Sequence, residues 1–240
     1  MRRGSILTLR FYLLTAWLHR MEYSESLNPP GNSRRLRVAQ GLVLLFHLTG
    51  FVGLAFSKNS DFYLRFTPLT LLLTALLLLA FQRERGVSFW GFCVSVSLLG
   101  FAAEVVGVFT GKFFGHYYYG QTLGYQALGV PLAIGLNWLV LTYVCGILAR
   151  YLPLAELPRT LLAALLMVGL DMCMEPVASH YDFWHWTANI IPFQNFRDWF
   201  IFACVLQMLF NRANFPKFNP LVPLVYLTQL LFFFLLSIVQ

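Results

Sequence analysis

Residues 62–81 read FYLRFTPLTLLLTALLLLAF, a nearly pure leucine core behind one basic residue, Arg65. Twenty predominantly apolar residues make about 30 Å of helix, enough to cross the hydrocarbon layer of a bilayer. The pattern recurs along the chain. Apolar runs at 38–56, 88–109, 127–149, 160–174, 196–210 and 221–239, together with 62–81, predict seven spans. The run 196–210 is short, which predicts little tilt, a locally thinned bilayer or partial re-entry. Pro176 predicts the end of the fifth span, because the residue before a proline is pushed out of the helical region. Only 11% of the residues are charged, against about 25% in soluble domains. The fold class is therefore an all-α integral membrane protein, a bundle of about seven transmembrane helices.

Nothing marks a soluble domain, so 37–240 reads as a single transmembrane helical domain behind an N-terminal tail, 1–36. Within the tail, residues 2–20 carry four arginines around a modest apolar patch. They read either as an interfacial segment or as sequence ahead of a true start at Met21. Residues 22–35 are polar and rich in Pro, Gly and Ser, as a flexible tail would be.

The formal net charge is +7. The cations gather at 34–37, Arg83 and Arg85, Arg150 and Arg159, and Arg212 and Lys217, which alternation of the spans puts on one side. The positive-inside rule makes that side cytoplasmic and gives an inside N-terminus in a cell (inner) membrane. No RNA- or DNA-binding motif occurs, and a nucleic-acid partner is not expected. The four cysteines lie in or beside apolar runs without CxxC spacing, and read as small buried residues.

The same alternation sends Glu104, Asp171, Glu175, Asp182 and Asp198 to the other end, with His116, His180 and His185. An acid at membrane depth is expensive and points to function. Glu104, Gly107 and Gly111 share a helix face by their spacing, where small residues admit a close neighbour. A structural ion pair of Glu104 with Arg197 or Lys112 is the plainer reading. Asp171 and Glu175 are one turn apart. Such a pair can hold one proton between them and deliver it while its partner stays ionised. Tyr117, Tyr118, Tyr119, Tyr125, Phe183, Trp184, Trp186 and Trp199 flank these acids. They read either as an interfacial belt or as the wall of an apolar tunnel facing a carbocation. No HxxH, HxxxH or HExxH spacing occurs, so no metal site is expected. No phosphate-binding loop or GxSxG motif occurs either.

Two blocks carry a resemblance. The first is Glu104-x-x-Gly107-x-x-x-Gly111-x-x-Phe114-Gly115-x-Tyr117-x-Tyr119, with Leu123-Gly124 and Gly129-Val130-Pro131. The second is Asp171-x-x-x-Glu175-Pro176, then Phe183-Trp184-x-Trp186, then Ile191-Pro192-x-x-Asn195-Phe196-x-x-Trp199. Together they resemble the membrane carotenoid biosynthesis protein family, which includes carotenoid 1,2-hydratases and bisanhydrobacterioruberin hydratases. The chain departs from that pattern at Glu175, where an aspartate is usual, at Phe113, where a proline is commoner, and at Asp198, where a glycine often stands.

The resemblance implies cofactor-free addition of water to the terminal double bond of an acyclic carotenoid end. The substrate would enter from the lipid bilayer, in contact with membrane lipid and with other carotenoid biosynthesis enzymes. It implies Asp171 as proton donor and Glu104 or Glu175 as the group orienting water, with these roles exchangeable. Gly107, Gly111, His116, Tyr117, Tyr119, Asn137, Trp138, Trp184, Trp186, Asn195 and Trp199 would bind substrate or position the acids. Competing readings are a carotenoid cyclase, a non-catalytic carotenoid-binding protein and a proton-coupled transporter. The last conflicts with the apolar inner halves of the spans.

Overall fold

A computed structural model describes residues 30–239. Its helices are α1 (Pro30–Phe56), α2 (Ser60–Leu64), α3 (Thr67–Phe81), α4 (Val87–Thr110), α5 (Leu132–Ala149), α6 (Glu156–Ala178), α7 (Phe193–Arg212) and α8 (Val222–Val239). α2 and α3 form one span broken at Arg65 and Phe66. Pro68 in the first turn of α3 has no N–H to continue the α2 ladder. Seven spans result, six of them long and apolar enough to cross a membrane. α1 starts at Pro30, so residues 30–36, read above as tail, form its first turns. Proline is well tolerated at a first helical position. The rest of that tail, 1–29, lies outside the described residues.

Three boundaries differ from the sequence reading. α5 starts at Leu132, not at Ala127, because Leu128 and Gly129 (φ 54° and 73°) turn the chain between β2 (Gln126–Ala127) and β3 (Val130–Pro131). α6 runs through Pro176 to Ala178. The proline costs the Met172 carbonyl its usual N–H partner, but so near the helix end one lost bond does not stop the last turn. α7 is 20 residues long, or about 30 Å, five residues more than the apolar run 196–210. Its polar look has a packing cause, since Asn195 and Gln207 face inward. Gln207 donates to the Thr142 carbonyl at 3.0 Å.

α5 is the central helix and packs against α3, α4, α6, α7 and α8. Its contact with α4 is close because Gly100 lies under Trp138. A Cβ at Gly100 would come within 2.5 Å of the Trp138 side chain. At the arginine end, Gln82, Tyr143 and Asn219 form a buried polar cluster. Tyr143 donates to Gln82 Oε1 at 2.5 Å, and Asn219 donates to Tyr143 Oη at 3.0 Å and to the Leu78 carbonyl at 2.8 Å. This end is thus less purely apolar than the sequence suggested, and these groups satisfy one another as a tie between α3, α5 and the start of α8.

Gly100→Val should overpack the α4–α5 contact and cost about 1–3 kcal/mol. Gly91→Ala, with nothing within 4 Å of the added carbon, should be neutral or slightly stabilising. Thermal unfolding of the two variants in detergent checks this, and equal midpoints would contradict the packing assignment.

Candidate active site

The far end of α4, the start of α5, the last turns of α6 and the start of α7 meet at the end of the bundle opposite the arginines. Each brings one part of a site: Glu104, Asn137 and Trp138, Asp171 and Glu175, and Asn195 and Trp199. The three acids are 3%, 1% and 4% exposed in chain order, so solvent does not hydrate them. Each must find partners within the protein.

The connections between helices supply those partners. β1 (Tyr117–Tyr119) pairs antiparallel with β4 (Trp184–Trp186), Tyr117 opposite Trp186 and Tyr119 opposite Trp184. The two-residue period of a strand puts these four side chains on one face. Tyr118 and His185 fall on the other face and stack on each other, 5.1 Å between ring centres. The buried face serves the acids strand by strand. Tyr117 and Tyr119 donate to Glu104 Oε2 at 2.5 and 2.8 Å, while Trp138 Nε1 donates to Oε1 at 2.9 Å. Trp186 and Trp184 donate to Glu175 Oε2 at 2.8 and 3.2 Å, and Asn195 Nδ2 donates to Oε1 at 2.8 Å. Burial, then the Glu104 charge, pushes both tyrosine phenols up, which keeps them protonated as donors.

Glu104 is therefore held by three neutral donors, and neither Arg197 nor Lys112 pairs with it. Arg197 bonds Asp198 at 2.8 Å, and Lys112 is exposed. Asp171 is treated differently from the glutamates. Its Oδ2 receives one long bond, 3.3 Å, from the Asn195 amide that also serves Glu175. Its Oδ1 is buried with no hydrogen-bond partner among the described residues.

The acids line a chamber of about 30 Å³, room for roughly two water molecules. Eleven of the residues singled out from sequence line it: Glu104, Tyr117, Tyr119, Asn137, Trp138, Asp171, Glu175, Trp184, Trp186, Asn195 and Trp199. Trp138 and Trp199 stack with ring centres 4.0 Å apart, and Phe114 lies over Trp138 at 6.3 Å. Three expected residues are elsewhere. His116 is exposed beside Gly111, and neither lines the chamber. Gly111 is the left-handed cap that ends α4 (φ 62°), a role that leaves it off the helix face proposed for it. Gly107 packs under Tyr117, whose Oη would sit 2.7 Å from an added Cβ. It opens the path by which Tyr117 reaches Glu104.

Phe114, Ile134 and Met174 were not singled out as site residues, and all three line the chamber. Their signal was positional. Met174 neighbours Glu175, and Ile134 is one turn before Trp138. Phe114 adopts φ 64° with its N–H on Asp198 Oδ2 at 3.1 Å, which no local pattern announces.

The chamber adjoins an apolar groove of about 490 Å³ between α1, α2, α3, α5, α6 and α8. Ile134, Asn137, Met174 and Trp184 line both. A water-sized acidic chamber thus meets a long apolar groove at a shared wall.

A multi-pass helical membrane protein with a buried carboxyl site next to a hydrophobic groove is the class that this fold and site define. The family profile described as "Carotenoid biosynthesis protein" matches residues 66–240, and the chain belongs to that family. Membership gives it a role in carotenoid biosynthesis. No curated protein and no solved structure matches the chain.

The β1–β4 cover is pinned by Asp182, which accepts from the Gln121 N–H at 2.7 Å and pairs with His185 at 2.8 Å. Partial burial pushes the Asp182 carboxyl up, but the hydrogen bonds from His185 and Gln121 and the imidazole charge outweigh it and hold the group below its usual range. A carboxyl lowered in the fold contributes stability that is complete above its unfolded value, about 3.9, and is lost as pH falls through the folded value. Amide-exchange protection at Gln121 should hold from pH 7 to 5 and fall below pH 4. Asp182→Asn should lose it already at neutral pH, and unchanged protection in that variant would remove Asp182 as the pin.

Tyr117→Phe should leave Glu104 with two donors and lower stability by about 1–3 kcal/mol. Gly107→Val should displace the same phenol without removing a polar group. Both should change the near-ultraviolet tyrosine signal. A Gly107→Val spectrum like the parent's would show that the glycine does not open that path.

Proposed function

We propose that the protein is a carotenoid hydratase, a hydro-lyase adding water to the terminal C1–C2 double bond of an acyclic carotenoid end group. Family membership supports the substrate class. The observation that carries the reaction type is Asp171. Its buried Oδ1 lacks a donor among the described residues, in a chamber sized for water that shares a wall with the apolar groove. A carboxylate wants donors on both oxygens, and a carboxylic acid needs fewer because it is itself a donor. Asp171 is the one acid here whose surroundings suit the protonated form, while three donors each suit Glu104 and Glu175 to charge.

The reaction balances with these groups alone. The end of the carotenoid lies in the groove with its last double bond at the shared wall. Asp171 gives its proton to C2, and a tertiary cation forms at C1. The stacked Trp138 and Trp199 faces and the Glu104 carboxylate stabilise that charge. A chamber water forms the C–O bond at C1 and passes its extra proton to Glu175. Glu175 returns the proton to Asp171, one helical turn away and joined to it through Asn195. One water is consumed and no cofactor takes part. The arginine end faces the cytoplasm of a cell (inner) membrane by the positive-inside rule, so the chamber lies on the opposite side. Lateral entry from the bilayer suits a substrate insoluble in water.

Expression in bacteria that make lycopene or γ-carotene, with pigments separated and weighed, checks this reading. The expected product gains one water at the acyclic end. Asp171→Asn should lower conversion about 10²–10⁴-fold, as loss of a general acid does, with protein still in the membrane. An isomer of unchanged mass would mean cyclisation, and near-parental conversion by Asp171→Asn would remove it as the donor.

A further inference from the structure

The apolar groove is not uniformly apolar. Polar side chains line it from within the membrane-spanning helices, among them His47 on α1, Thr70 and Thr74 on α3, and Gln229 on α8. The two threonines make no demand on a ligand. Each hydroxyl donates to the carbonyl one turn back, Phe66 at 3.0 Å and Thr70 at 2.8 Å. Gln229 is different. It is 8% exposed, and its Oε1 is buried with no hydrogen-bond partner among the described residues. An amide left in this state is destabilising. A leucine or methionine there would avoid that cost, as the surrounding Phe232 and Phe233 do.

His47 lines the same groove from α1. Its Nδ1 donates to the Val43 carbonyl at 2.8 Å, which leaves Nε2 of the neutral ring as an acceptor. The ring meets Phe232 edge-on, 5.7 Å between centres. Phe232 is one turn from Gln229 and on the same helix face. An acceptor nitrogen and an unsatisfied amide thus border one groove on facing helices, deeper in the bundle than the acid chamber.

We propose that Gln229 and His47 form a polar subsite for a hydroxyl carried by the bound isoprenoid, so that the groove selects an oxygenated chain over the corresponding hydrocarbon. A hydroxyl fits because it can donate to Oε1 or Nε2 and also accept from the amide NH₂, whichever way the amide is turned. A carbonyl could only accept, and would leave both acceptors unserved. The inference rests on the groove as the carotenoid site and names the substrate class within it.

The test reads binding, not turnover. Purified protein in detergent is loaded with an equimolar mixture of an acyclic C40 carotenoid and its monohydroxylated derivative. Bound and unbound pigment are then extracted and separated by chromatography, and the bound ratio is divided by the unbound ratio, which cancels any hydration during loading. The parent should be enriched in the hydroxylated pigment by about tenfold, the worth of one good hydrogen bond. Gln229→Leu and Gln229→Met should bring the ratio near unity with total pigment per protein unchanged. His47→Phe should reduce it partway. Both Gln229 variants remove an unsatisfied polar group, so they should fold at least as well as the parent, which size-exclusion profiles verify. A parental ratio of unity, or enrichment that survives both Gln229 variants because water rather than ligand serves the amide, would overturn the assignment. Absence of both pigments from the parent would remove the groove reading and the inference together. Selective binding without any hydration would instead leave the subsite standing and sink the hydratase.

Discussion

Three buried carboxyl groups at one end of a membrane bundle set the terms for the structure around them. An acid out of water needs donors, and in a bilayer they can come only from the protein. The fold meets the demand with elements that a membrane bundle does not otherwise need. A three-residue strand after α4 and another after α6 pair over the site, and their shared face sends two phenols to Glu104 and two indoles to Glu175. Gly100 lets Trp138 lie close to α4, with its N–H on Glu104 one turn further along. Gly107 lets Tyr117 reach the same group.

Against that provision, the treatment of Asp171 stands out. Two acids receive three donors each, and the third, a single helical turn from Glu175, receives a part share of one amide. Environments that differ this much within one site separate an acid from a base. The neighbouring spaces fit the same division. The chamber is sized for water and lined by acids and aromatic rings. The groove beside it is large and apolar, and four of the helices that line it carry no acid. Membership of the carotenoid biosynthesis family gives a reason for both spaces in one protein.

Much of this was legible in the chain. Seven spans followed from apolar run length, and alternation alone brought Glu104, Asp171 and Glu175 to one end. The unread parts have physical causes. Tyr117-Tyr118-Tyr119 and Trp184-His185-Trp186 carry a two-residue alternation, but runs of three are too short to separate from a loop, and strand pairing 67 residues apart leaves no local trace. Gly111 has helical spacing from Gly107, yet it caps the helix in a left-handed conformation that spacing does not reveal. Pro176 is a helix breaker by rule, but it stands where only one turn remained to be lost. The length of α7 was hidden by Gln194, Asn195, Asn211 and Arg212, polar residues at its two ends that lower the apolar signal. The mid-membrane amide of Gln229 sat unnoticed in an apolar run, since a single glutamine does not disturb the pattern of a span.

Acid-catalysed hydration has an isotopic signature that no binding or transport role shares. Membranes holding the protein, supplied with an acyclic carotenoid in ¹⁸O-labelled heavy water, should yield a product carrying one ¹⁸O at the tertiary carbon and one non-exchangeable deuterium at the carbon beside it. A product without that oxygen, or pigment recovered unlabelled from membranes in which the protein is present and folded, would contradict the chemistry assigned to Asp171 and its two glutamates.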